Sequence, residues 1–147
     1  MKDINSVKKI IKKFFETKKW EFHEVEAKER NFDAFFIYFH KGESEDDNSW
    51  SIMLYIDEEG GFIQLLSILN TRELKFMEEK LDLFEILFKI NQKHKLIKCG
   101  YSNNQITYFV DVLVGDSLLT DEQLDRAFSA MLYNLNYSHE NIKNYLE

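Results

Sequence analysis

The sequence predicts a single α+β domain, an antiparallel sheet with helices mainly on one face. Three observations carry that expectation. The hydrophobic period switches along the chain from helical to alternating and back, twice, which gives the order α-β-β-β-α-β-β-α with one extra N-terminal strand as an option. Proline is absent and glycine occurs five times, so no flexible linker divides residues 1–147 into separate units. The chain is 44% hydrophobic and 15% aromatic. At this length that suits one core burying roughly 70% of the unfolded surface.

The first element is an amphipathic helix. Ile4, Val7, Ile11 and Phe14 recur at helical spacing, Ile10 and Phe15 widen the stripe, and Lys8, Lys9, Lys12 and Lys13 lie opposite. Such a lysine-rich face suits either a solvated side of a packed helix or an anionic membrane surface, and the packed helix is the ordinary case.

After Trp20 the period shortens to that of strands. Residues 32–39 (FDAFFIYF) are apolar on both faces, as expected of a strand covered on each side. Gly42 and the acidic residues 43–47 read as a solvated turn. Trp50, Ile52, Leu54 and Ile56 then alternate with Ser51, Met53, Tyr55 and Asp57, the pattern of a half-buried strand. Residues 57–61 (DEEGG) form a hairpin connection whose glycines tolerate positive φ, and the return strand runs over 62–69.

Asn70, with Glu73 three residues later, has the chemistry of a helix N-terminus. The spacing predicts a long helix from there to about Lys95, with Leu74, Met77, Leu81, Phe84, Leu87 and Phe88 as its core face. Ile97, Cys99 and Tyr101 alternate in the next strand and Asn103-Asn104 supply the turn. Ile106, Tyr108, Val110, Val112 and Val114 alternate in the partner strand. Thr120 with Gln123 makes a capping box for a last helix whose apolar face holds Leu124, Phe128, Met131, Leu132 and Leu135. A tail with Ile142, Tyr145 and Leu146 extends or docks that helix.

Charge narrows the classes of partner. There are 19 Lys plus Arg against 26 Asp plus Glu, a net charge of −7, which opposes general affinity for nucleic acid. Residues 1–20 hold seven lysines against Asp3 and Glu16, a surplus of +5 that leaves −12 elsewhere. A single cysteine and the lack of any long apolar run predict a cytoplasmic protein with neither signal peptide nor membrane span.

Residues 48–69 (NSWSIMLYIDEEGGFIQLLSIL), the helix end 84–91 (FEILFKIN), the hairpin after it, and residues 118–128 (LLTDEQLDRAF) resemble the YbjN family of bacterial proteins. Trp50 matches the family's tryptophan-containing strand, Asp57 to Glu59 its acidic turn, Asn91 the asparagine near the end of its long helix, and Leu119 to Glu122 the start of its final helix. Leu69-Asn70 lacks the proline often found before the long helix, and Gly100 falls later than the family's usual glycine. The resemblance implies a fold similar to the chaperones of type III secretion, with members described as regulators or chaperone-like proteins. It brings no catalytic residues.

The residues themselves also argue against catalysis. His23, His40, His94 and His139 are far apart and form no metal-ligand spacing, so neither metal nor cofactor is expected. Cys99 shares its alternating set with apolar residues, which suggests a buried, inert thiol. Asp46-Asp47 and Asp57-Glu58-Glu59 fall in predicted turns, where water keeps carboxylates ordinary. The glycines at 42, 60, 61, 100 and 115 lack the spacing of a phosphate loop or a nucleophile elbow.

The alternation leaves a second apolar surface. If Trp50, Ile52, Leu54 and Ile56 face the helices, Met53, Tyr55, Phe109 and Leu113 face away. That face is covered by the N-terminal helix or the C-terminal tail, by a second copy in a homodimer, or by a client peptide. The function expected is therefore a non-enzymatic chaperone-like, adaptor or regulatory protein that binds a polypeptide through Met53, Tyr55, Phe109 and Leu113 or through an edge strand. An alternative is an immunity or antitoxin-like protein whose acidic body masks a basic toxin. A third is a hydrolase or transferase using dispersed Asp, Glu and His.

Overall fold

In the computed structural model, residues 3–25, 33–40, 49–57, 61–114 and 119–147 are described. The elements follow the order α1 (Ile4–Lys18), β1 (Phe22–Val25), β2 (Asp33–His40), β3 (Ser49–Ile56), β4 (Phe62–Asn70), α2 (Met77–Lys93), β5 (Lys98–Ser102), β6 (Gln105–Leu113) and α3 (Asp121–Ile142), closed by a 3-10 turn, Lys143–Tyr145. The strands form one antiparallel sheet in the order β1-β2-β3-β4-β6-β5. The optional N-terminal strand is thus present as β1, an edge.

The three helices share the sheet face that carries Phe35, Ile37, Ile52, Leu54, Leu65 and Tyr108. On α1 the buried residues are Val7, Ile11, Phe14 and Phe15. Phe15 meets Phe35 of β2 edge-on at 5.7 Å, and Phe14 stacks on Phe128 of α3 at 6.1 Å. The apolar stripe of α1 is therefore spent on the core and not on a membrane. Two lysines of the opposite face are engaged as well: Lys8 reaches Glu24 at 2.8 Å and Asp33 at 3.4 Å, and Lys12 reaches Glu24 at 2.6 Å.

Helix α3 begins as its sequence requires. Thr120 accepts from the Gln123 backbone at 3.2 Å, and the Gln123 side chain accepts from the Thr120 backbone at 2.9 Å. Trp50 donates to Asn136 at 2.9 Å, tying β3 to the same helix. The tail docks beside the end of β4, where Arg72 N–H donates to Tyr145 at 2.8 Å and Thr71 bridges to Leu146. Asn103 and Asn104 take φ of 51° and 58° in the β5–β6 turn, the left-handed conformation that asparagine tolerates.

Three expectations are corrected. No helix opens at Asn70, because β4 continues to that residue, paired with Gln105, and Asn70 C=O accepts from Glu147 N–H at 3.1 Å. Sheet pairing overrides the local capping chemistry. Helix α2 starts at Met77 after Phe76, which supplies no side-chain cap. Its buried face is Leu83, Leu87 and Ile90; Met77, Leu81, Phe84 and Phe88 of the expected core stripe are 66, 58, 46 and 60% exposed. The strand over 32–39 is likewise apolar on both faces but not fully covered, since Tyr38 is exposed. The acidic turn at 43–47, with Gly42, and Glu58, Glu59 and Gly60 of the hairpin lie outside the described residues, as do Phe32, Asn48, Gly115 and Leu118.

Candidate interaction surfaces

Successive strand residues point to opposite faces, so the register determines which side chains meet behind the sheet. His23 pairs with Phe36, Phe36 with Met53, Met53 with Leu66, Leu66 with Phe109, and Phe109 with Lys98. One row thus crosses all six strands, with four apolar residues between a histidine and a lysine. The adjoining row is Ala34, Tyr55, Gln64 and Asp111, in which Gln64 donates to Asp111 at 2.7 Å. Beyond it Phe62 pairs with Leu113, which is 79% exposed.

The expected face residues therefore lie together on the side away from the helices. Met53 and Phe109 share the central row, separated by Leu66. Tyr55 lies one row over and Leu113 lies at the end of β6. Both the N-terminal helix and the C-terminal tail pack elsewhere, against the core. Phe36 and Leu66 complete the row and were missed by the sequence reading. Alternation from Phe35 and from Leu65 points to them, but only the register shows that they align with Met53.

The edges differ from the face. Asn91 at the end of α2 donates to Cys99 C=O at 2.9 Å and accepts from Cys99 N–H at 2.7 Å. Its amide takes the place of a neighbouring strand on β5. The other edge, β1, has four residues.

The misplaced stripe of α2 makes a second apolar surface. Met77, Leu81, Phe84 and Phe88 run down one side of the helix, and Phe84 packs edge-on against Tyr101 of β5 at 5.8 Å. Near the helix end, His94 packs edge-on against the stacked rings of Tyr133 and Tyr137, 5.8 and 5.7 Å away between ring centres, beside a cleft of about 340 Å³. Lys93 donates to the Tyr137 hydroxyl at 2.6 Å. Burial, and then the Lys93 charge, hold His94 below its usual range. The residues lining this cleft include no carboxylate.

Other candidate groups are dispersed. Burial pushes the Cys99 thiol up to about 12, and its Sγ donates to Leu87 C=O at 3.4 Å. A thiol so held is not a nucleophile at neutral pH. His23 is exposed on β1, His139 lies 5.6 Å from Trp50 between ring centres, and the His40 side chain lies outside the described residues. Among the described residues, no three of His, Cys, Asp and Glu come together as metal ligands. No described helix is long and apolar enough to cross a membrane.

Fold and surfaces together define a single-domain α+β protein with a one-sided sheet and an apolar opposite face. The chain belongs to the YbjN family, whose model, described as "Putative bacterial sensory transduction regulator", matches residues 9–136. It is similar to the crystal structure of YbjN from E. coli, titled a "putative transcription regulator", with a TM-score of 0.58 and 12% identity over 93% of each chain. At that identity the likeness is one of fold. No curated protein matches the chain.

Proposed function

We propose that this protein is a non-catalytic adaptor or chaperone-like regulator that binds another polypeptide through the outer face of its sheet. The observation that carries the reading is the row Phe36, Met53, Leu66, Phe109, four apolar side chains in direct cross-strand register on the face opposite the helices. Tyr55 and Leu113 flank it. Met and aromatic side chains adapt to varied apolar segments, which suits a client-binding surface. Of the two modes open at the outset, the face is favoured over strand addition at β5, where Asn91 already holds the backbone of Cys99. The family's description as a regulator supports a binding role in place of turnover. The lone buried cysteine suits a reducing, cytoplasmic setting.

The test is a double variant, Met53→Asp with Tyr55→Asp, checked for folding by circular dichroism. The protein that co-purifies with the unaltered chain should be lost from the variant. Retention of that partner by a folded variant would remove the outer face from consideration.

A further inference from the structure

We infer that the cleft between the end of α2 and the C-terminal half of α3 binds a small organic anion, a carboxylate joined to an apolar body. This site is separate from the outer sheet face and independent of the client-binding reading.

The cleft, about 340 Å³, has the size of a small-ligand site, and its lining divides by chemistry. Ile86 and Ile90 supply an apolar wall, Lys89 and Lys93 bring two positive charges, and Tyr137 and Asn141 contribute a hydroxyl and an amide from α3. The α2 residues are placed there by the helical period. Positions 86, 89, 90 and 93 recur at intervals of three and four, so they share one flank of the helix, turned away from the exposed stripe of Met77, Leu81, Phe84 and Phe88. His94, the residue that ends α2, also lines the cleft.

Charge sets the sign of the ligand. The chain carries −7 overall, yet no carboxylate lines this cleft. Among the described residues Lys93 meets no carboxylate: its ammonium donates to the Tyr137 hydroxyl at 2.6 Å and lies 4.4 Å from the centre of that ring. Lys89 reaches Glu85 at 3.1 Å, but the two side chains are 70 and 64% exposed, and so solvated a pair holds its lysine only weakly.

A further observation points to an acid group. His94 Nε2 is buried and has no hydrogen-bond partner. Buried polar atoms are nearly always paired, because an unpaired one forfeits its bonds to water. In a neutral imidazole Nε2 can carry the proton, and a carboxylate in the cleft supplies its acceptor. The lysines and the Asn141 amide then complete the hydrogen bonds of the acid group, and the isoleucines are left to an apolar body.

Titration of the full chain with hexanoate, followed by heteronuclear NMR of the histidine rings and asparagine side-chain amides, tests the inference. His94 and Asn141 should shift together and saturate, with a half-point on the order of 1 mM for so small a ligand. Lys89→Gln with Lys93→Gln should weaken binding about tenfold, the loss expected when charge-assisted hydrogen bonds are removed, with unchanged circular dichroism, since both side chains are exposed. On the unaltered chain, 1-hexanol, which lacks the charge, and inorganic phosphate, which lacks the apolar body, should both bind much more weakly than hexanoate. Absence of saturable shifts at His94 and Asn141 well above the expected half-point overturns the inference. So does hexanol or phosphate that binds as tightly as hexanoate, or a double variant that keeps its affinity. Met53→Asp with Tyr55→Asp should leave hexanoate binding intact, so failure of the sheet-face reading and failure of this one are told apart.

Discussion

Tyr108 on β6 and Ser138 on α3 share a hydrogen bond of 2.7 Å inside the core, and the Ser138 hydroxyl donates to Asn134 C=O at 2.6 Å. The Tyr108 hydroxyl is therefore the donor and Ser138 the acceptor. Removing either end has unequal consequences. Ser138→Ala strands a buried phenol and should cost about 2 kcal/mol, whereas Tyr108→Phe leaves Ser138 still bonded to the helix and should cost about 1 kcal/mol. Urea unfolding of the two variants measures the difference, and equal losses would contradict the assigned direction.

Glu24 joins β1 to α1 through Lys8 and Lys12. Burial alone would push its carboxyl up, but the hydrogen bonds from Lys12 and Lys8, with their charges, outweigh it and hold the group below its ordinary value of 4.5. A carboxyl depressed in the folded state contributes stability that is present above pH about 4.5 and is lost as pH falls through its lower folded value. Glu24→Gln should cost about 1–2 kcal/mol at pH 7 and flatten the acid side of the stability profile. Thermal melts between pH 3 and 7 would show whether the two profiles converge at low pH.

Cys99 carries the opposite sign. Burial favours its neutral thiol, raising it from 9.0 to about 12. Stability from this group is full below pH about 9 and is lost as pH climbs from there through about 12, because only the unfolded chain ionises readily. The folded protein should resist a thiol reagent at pH 8 and react stoichiometrically in denaturant. Rapid labelling of native protein would show that the pocket under α2 opens.

Phe128 contacts Phe14, Phe15, Trp20 and Phe39 and is almost fully buried. Phe128→Ala should cost about 3–5 kcal/mol. Phe88→Ala, an identical change on the exposed stripe of α2, should stay within about 0.5 kcal/mol. A large loss at Phe88 would place that side chain in the core.

The contrast between these two phenylalanines shows where the sequence was legible. Both belong to amphipathic stripes, and periodicity predicts both helices. It also found α1, the alternation of β3 and β6, the Thr120–Gln123 cap and the Asn103-Asn104 turn. Of the expected core stripe, Leu74 and Leu87 are buried and Met77, Leu81, Phe84 and Phe88 are not, because those four have as good a helical period as Leu83, Leu87 and Ile90. Period tells that a face is apolar and not what it meets. The start of α2 was misjudged for a related reason: Asn70 and Glu73 suit a cap, but pairing of Asn70 with Gln105 across 35 positions wins.

By itself the sequence determined the class of fold, the number and type of most elements, and the existence of an apolar face carrying Met53, Tyr55, Phe109 and Leu113. These follow from local alternation, which is set by the geometry of each strand and helix. Only the tertiary structure decided that Phe36 and Leu66 stand in line with Met53 and Phe109, that Asn91 closes the β5 edge, and that α2 turns an apolar stripe outward. Strand register and helix rotation depend on contacts between residues distant in sequence, and no local period records them.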